Sequence, residues 1–566
     1  MEDAGYFFNR GKEKIEQKDY KGAIEDLDHA IELSSNHIAM YNTRAYVKIV
    51  LMDYIGAIDD YTKVIELISM TGRYANIEKD LENEFKGLIT VSPEDARKTL
   101  LSIDYTLAYE NRGTTKIKLC DFQGAIDDFS KMIDLSPRNA KGYFARGTAR
   151  IIIQDYYNAL QDLNKAIELN PFDFNAYRFR ARVKVHFEDY DGAIEDYTRS
   201  IETEPTNPEL YFDRGNIKND IRNYLGAIED FSKAIELNPQ NAIIFANRGV
   251  AKYYMGDIHE AIIDYKRAIE LNPHEGTFYM NLGNAKRDLR DFGSALEHLN
   301  TAIQLKPNDA AYFNRGLIKY DLKDFDGALE DFNNAIELNP TYTLAYHIRG
   351  KVKVDLANYT EAIEDLDLAI LLNPDDAVAY YIRGISKSEL KDFNAAREDL
   401  SISIQLNPND PIPYHNRGIV NDYLNDSYAA LNDFNKAIEL NPDDFRSYYS
   451  RGLVKMALED FQEAVQDFNK SIDLNPMQYA AYKKRGIAKQ VLKDFNGAIE
   501  DYTKVIESNP NDILAYVNRC DAKLELNDIS GAKGDLKTAI KIQPDYESGV
   551  DNISAEMRRL QNILRN

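Results

Sequence analysis

Apolar residues in this chain fall into two short blocks at helical spacing, parted by a polar turn such as Leu492-Lys493-Asp494-Phe495. Each pair of blocks ends on punctuation such as Asn509-Pro510-Asn511-Asp512, which stops one helix and can cap the next. The unit then starts again about 34 residues later, so the pattern predicts helical hairpins in series and no strand.

The register is marked by Arg-Gly, at Arg10-Gly11, Arg112-Gly113, Arg146-Gly147, Arg214-Gly215 and Arg248-Gly249, then six more times from Arg315-Gly316 to Arg485-Gly486. With the Gly set as position 8, fifteen copies align. Position 4 is aromatic and position 20 is Ala in all fifteen; position 24 is Phe, Tyr or Leu; position 32 is Pro in thirteen. Gly at 8 and Ala at 20 have almost no side chain, so two antiparallel helices can approach closely there. One hairpin cannot bury its apolar face alone, and stacking covers it.

Position 7 is Arg and position 23 is Asp in fourteen copies each, and the exceptions, Leu282 and His298, fall in one repeat. An Arg–Asp ion pair inside each hairpin follows, for example Arg315 with Asp331 and Arg349 with Asp365. Losing both partners costs less than stranding one charge. Lys at position 11 is expected to answer other acidic groups.

These columns resemble the tetratricopeptide repeat, whose signature is an aromatic, a small residue, Ala, an aromatic and a closing Pro over 34 residues. Two columns depart from it: position 7, normally Leu, is Arg, and position 11, normally Tyr, is Lys or Arg in fourteen copies. The resemblance implies an all-α α-solenoid, a right-handed superhelix of antiparallel helix pairs. The expected divisions are repeats at 4–71, a degenerate helical repeat at 72–105, repeats at 106–546 and a capping helix at 547–566. The segment from Gly72 to Tyr105 lacks the Ala and Pro columns, reads as helical from about Tyr74 to Ile89, and offers a second helix start at Ser92-Pro93. The capping helix has Val550, Ile553, Met557, Leu560 and Leu564 on one face, with Arg558, Arg559 and Arg565 between or after them.

Composition narrows the function. Net charge is -24, against phosphate and anionic membrane surfaces and towards basic segments. No run is apolar for long enough to span a bilayer, and the start has no basic-then-apolar leader, so a cytoplasmic home is the expectation. Cys120 and Cys520 are too few and too far apart for a zinc site, and they occupy different repeat positions. The eight His residues occupy unrelated positions, and no phosphate-cradling Gly loop or nucleophile motif is present. No metal, cofactor, catalytic residue or small-molecule substrate is expected.

The family places ligands along the concave face lined by each first helix, at positions 2, 5, 6, 9, 12 and 13. Position 6 carries Asn247, Asn281 and Asn314 in consecutive repeats, similar to the peptide-gripping ladder of O-linked N-acetylglucosamine transferases; an amide can donate to and accept from a peptide unit. Acids at Asp288, Asp321, Asp355 and Glu389 accompany Tyr253, Tyr254, Phe313, Tyr320 and Tyr381, a groove suited to Lys or Arg. Repeats two to four instead present Tyr46, Ile49, Val50, Ile117, Ile151 and Ile152, an apolar stripe suited to an amphipathic helix. The family's clamp for acidic C-termini, Lys at 5 with Asn at 9, occurs in no repeat. The expectation is a non-enzymatic scaffold for protein or peptide segments, basic ones among them. The alternatives are an adaptor subunit of a transferase or secretion complex, and a self-assembling structural protein.

Overall fold

Each repeat folds because its turn chemistry agrees with its apolar pattern. In the repeat at 309–342, the first helix is Asp309–Asp321 and the second Phe325–Leu338. Asp324 caps the second helix, accepting from the Gly327 amide at 3.1 Å. Asn339 and Pro340 end it. The same two lengths, 13 and 14 residues, return in most repeats. The structure, a computed structural model, describes residues 3–70, 93–544 and 552–565. The described residues are helices and turns without a strand.

The chain divides into two compact units, Met1–Leu289 and Arg290–Asn566. Within each, every second helix packs on the first helix of the next pair, giving an all-α solenoid. The division falls inside the one repeat that has Leu282 and His298 in place of Arg and Asp.

The core of a hairpin is a ring laid over a glycine. Phe332, at position 24, is fully buried. A Cβ on Gly316 would meet its Cε1 at 2.8 Å, and the same overlap recurs at Gly113 with Phe129 and Gly452 with Phe468. Position 8 therefore faces position 24 more closely than position 20, whose Ala lies beside it, fully buried. Burying one such ring contributes roughly 2–3 kcal/mol.

Position 7 ties the hairpin together. Among the described residues, fourteen Arg side chains hold the position-23 Asp by two bonds. Nη2 lies 2.5–2.7 Å from one oxygen. Nε lies 2.8–3.0 Å from the other. Each guanidinium also lies 5.0–5.9 Å from the centroid of the position-4 ring of its own helix. The carboxylates are at most 7% exposed.

The position-11 Lys differs in part from expectation. It completes the same site, Lys319 Nζ lying 2.9 Å from Asp331 and Lys489 3.0 Å from Asp501, and in three repeats it also meets another acid on the second helix, Lys252 with Glu260, Lys353 with Glu361 and Lys455 with Glu463 at 3.5–3.7 Å. A buried carboxylate has more lone pairs than one Arg can fill, which is why a second cation is drawn to it. Lys319 also donates to the Gly327 carbonyl, at 3.2 Å.

A third bond from the same Arg crosses to the preceding repeat. Thirteen of the Arg Nη1 groups donate to the side chain at position 25 of the previous hairpin, at 2.6–3.1 Å. That residue is Asp, Asn, Ser or Thr wherever an Arg follows. It is Lys266 before Leu282, and Lys537 in the last repeat, where no Arg follows. Arg10 lies in the first described repeat.

Two segments depart from the regular hairpin. Helix Pro93–Lys118 begins at Pro93 and runs 26 residues without stopping at 105, because no Pro or Gly interrupts it before Gly113. It packs on Tyr54–Met70, and Arg112 reaches Thr62 at 3.1 Å, so the pair that the long helix forms with Phe122–Leu135 stacks directly on the pair ending at Met70. The helix expected around Tyr74 to Ile89 lies outside the described residues. At the other end, helix Asn552–Arg565 covers the last repeat. Its Met557 and Leu560 are fully buried against Val517, Cys520 and Leu536, while Val550 lies outside the described residues.

Candidate functional site

The side chains free to meet a partner are those the hairpin does not consume, chiefly on the first helix of each pair. Each unit has its own share. In the first, Tyr253 donates its O–H to the Asp288 carboxylate one repeat on. Burial, and then that carboxylate, push the Tyr253 phenol up to about 12. Tyr254 is 62% exposed and stacks on Tyr224, with centroids 5.7 Å apart. Asn247 donates from Nδ2 to Asn216 Oδ1 at 2.8 Å, and both Asn247 and Asn281 are half-buried.

The second unit repeats the motif. Tyr320 donates to Asp355 at 2.6 Å, joining position 12 of one repeat to position 13 of the next. Burial, followed by the Asp355 carboxylate, raises the Tyr320 phenol. Asp321 and Glu389 are exposed, and Asn314 is half-buried. Two of the expected tyrosines are thus bonded to two of the expected acids, Tyr253 to Asp288 and Tyr320 to Asp355, each across successive repeats. The hydrogen bond holds the carboxylate in place.

Not every expected aromatic is available. Phe313 is only 7% exposed and packs in the core against Phe332 and Tyr342. Position 5 is turned towards the next repeat rather than into open space. In repeats two to four, Tyr46 and Ile152 are about half exposed, and Ile49, Ile117 and Ile151 are half-buried.

Tyr381 leads to a feature the sequence reading missed. It is half-buried and lines a cavity of about 250 Å³ with Ile412, His415, Asn416, Asp444 and Arg446. Arg446 Nε holds Asp444 at 2.8 Å, Ser447 Oγ donates to the same carboxylate at 2.7 Å, and His415 Nδ1 lies 2.8 Å from Ser447 Oγ. Because the Ser proton goes to Asp444, Nδ1 donates and Nε2 of the neutral ring is an acceptor. Burial holds the His415 pKa below its usual range, against the pull of Asp444. His347 makes the matching contact to Asp376 at 2.8 Å. These two histidines share position 5 and each meets the Asp that caps the next helix, so not all histidines stand at unrelated positions. The available signal was a His at 5 followed by Asp at 34.

Among the described residues no cluster of His, Cys, Asp or Glu is arranged to hold a metal ion, and no helix is long and apolar enough to cross a membrane. With the hairpins and the inner face described, kinship can be judged. The tetratricopeptide repeat matches residues 4–37, 140–173, 208–241, 242–275, 276–309, 310–342, 344–376, 413–444 and 445–476, together more than half of the chain. The chain is a tetratricopeptide repeat protein. Solved tetratricopeptide structures similar to it include MamA, 28% identical over 30% of this chain and 92% of that one, with a TM-score of 0.28. The Cut9–Hcn1 hetero-tetramer of the APC/C is 14% identical over 86% and 96%, with a TM-score of 0.39. YrrB, described as having an unusual peptide-binding site, is 24% identical over 33% and 97%, with a TM-score of 0.30. No curated protein matches the sequence.

Proposed function

We propose that this tetratricopeptide repeat protein is a non-enzymatic interaction scaffold that holds protein segments rich in Lys or Arg on the inner face of its first helices. In the second unit the face consists of Tyr320, Asp321, Asp355 and Glu389, with Asn314 beside them. Asn247, Asn281, Tyr253, Tyr254 and Asp288 form the corresponding surface of the first unit. The observation that carries the reading is the Tyr320–Asp355 bond, which fixes a carboxyl group beside an aromatic face. A bound ammonium or guanidinium then gains both an ion pair and a ring contact. The position-7 Arg and position-11 Lys do not compete, being spent on buried Asp residues, but Lys351 and Lys323 lie 5.5 and 5.6 Å from the Tyr320 ring centroid, so a ligand cation has to displace them.

Titration with a fluorescein-labelled Lys/Arg-rich peptide tests the reading. Changing Asp321→Asn together with Glu389→Gln is expected to weaken binding about threefold or more, since each exposed pair is worth up to ~1 kcal/mol, and added salt should weaken it further. Equal binding by the variant, or by a Glu-rich peptide, counts against it.

A further inference from the structure

The cavity of about 250 Å³ at Tyr381 is lined from helices Ala377–Glu389, Pro411–Tyr423 and Phe445–Ala457, and lies outside the face proposed for basic segments. Its charge is already spent. The Asp444 side chain is 10% exposed; burial opposes its ionisation, yet hydrogen bonds from Arg446 and Ser447 hold its carboxyl below the usual range. Burial keeps His415 neutral in the same cavity. An anion that enters gains Arg446 but meets Asp444, and a cation meets the reverse, so neither gains on balance.

Hydrogen bonding is what the walls still offer. Nδ1 of His415 is spent on Ser447, and Nε2, an acceptor, meets no donor among the described residues. The Arg446 Nη groups and the Asn441 amide N–H groups likewise meet no acceptor there. The Tyr381 hydroxyl, beside Asn416, can give and take. Pro411, Ile412 and the Tyr381 ring add apolar surface. Size narrows the choice further. Pockets for drug-sized molecules start at roughly 300 Å³, so this one takes a single ring, and a helix about 10 Å across cannot enter.

We propose that this cavity binds a neutral polyhydroxylated ring, supplied as a free monosaccharide or as the end ring of a glycan. Each hydroxyl both donates and accepts, which suits walls that hold an acceptor at His415 and donors at Arg446 and Asn441. The C–H face of such a ring suits Ile412 and Tyr381. His347 shows what else the site needs: it meets Asp376 as His415 approaches Asp444, but Val378 and Ala379 stand where the cavity has Arg446 and Ser447. The cavity shares no residue with Tyr320, Asp321, Asp355 or Glu389, and stands whether or not that face takes basic segments.

Saturation-transfer difference NMR on the full chain is the test, with D-glucose, D-galactose, D-mannose and N-acetyl-D-glucosamine, each free and as its methyl glycoside. At least one is expected to bind. A tighter methyl glycoside assigns the end of a glycan, and a tighter free sugar assigns the monosaccharide. His415→Phe should weaken that binding about 3–10-fold, the worth of one neutral hydrogen bond. Position 5 accepts a ring, as buried Phe313 does, so this variant keeps the fold, and circular dichroism checks that. Arg446→Met, on the exposed rim, should weaken binding about threefold. His347→Phe, and Asp321→Asn with Glu389→Gln, should bind as the wild type does. Binding should also fade in acid, below the usual histidine value of about 6.5, where His415, faced by Asp444 and Arg446, takes a proton and stops accepting. The proposal is overturned if no sugar binds, if His415→Phe leaves binding unchanged, if His347→Phe weakens it equally, or if glucuronate or glucosamine binds better than the neutral sugars.

Discussion

At the scale of single residues, the position-7 Arg explains the chain's most regular feature. Its three N–H directions are all used: two on its own Asp and one on the previous hairpin, with an aromatic ring under its plane. Lys has the charge but not the fork, so Arg315→Lys should lose the bond to Asn300 and one of the two to Asp331. Asp331→Ala strands Arg315 and Lys319 beside a cavity and should cost about 2–4 kcal/mol, less than a fully buried charge because Arg315 keeps 18% exposure. Native-state hydrogen exchange of helix Phe325–Leu338 reads this loss, and an unchanged exchange rate would refute it. In the first repeat, hydrogen bonds from Arg10 hold the Asp26 carboxyl down to about 2, against the opposing effect of burial. A lowered carboxylate pKa stabilises the fold at neutral pH, and that contribution fades as pH falls from about 4 towards 2. Amide protection in helix Tyr20–Leu33 should therefore decline over that window, and Asp26→Asn should flatten the dependence. Positions 7 and 23 were legible in the sequence because each keeps one residue type and both fail together. Position 25 was not, because Asp, Asn, Ser and Thr share only the ability to accept a hydrogen bond.

At the scale of helices, the hairpin depends on two local fits. The first is the glycine under the position-24 ring. Gly316→Ala would press a methyl against Phe332 and should cost about 1–3 kcal/mol, measured by chemical denaturation; Gly350→Ala, facing the branch of Leu366 at 3.0 Å, should cost less. The second fit is the turn, where position 15 is left-handed in every described repeat. Fourteen non-glycine residues hold it, including Lys323 at φ 65° and Asn425 at φ 58°, and Gly256 alone has the residue suited to it. That strain could not be read from Lys, Met, Glu or Ala in the turn; only the helix capped on its far side demands it. The long helix Pro93–Lys118 was half legible. Its start was marked by Ser92-Pro93, while its continuation past 105 had no signal except the lack of a breaker.

At the scale of the molecule, repetition made the solenoid legible and left the function in the columns that vary. The candidate inner-face residues follow from repeat position alone, but the bonds between them do not, because Tyr253 with Asp288 and Tyr320 with Asp355 join adjacent repeats across 35 residues. The central claim is that a basic segment lies on the first-helix face and not on the outer helices. Site-specific photo-crosslinking tests it most directly, with a photo-reactive residue placed at Asp321 or at Tyr428, which is 76% exposed on the second helix of its repeat. A Lys/Arg-rich peptide is predicted to crosslink from position 321 and not from 428. Crosslinking that is equal at both, or stronger at 428, would contradict the account.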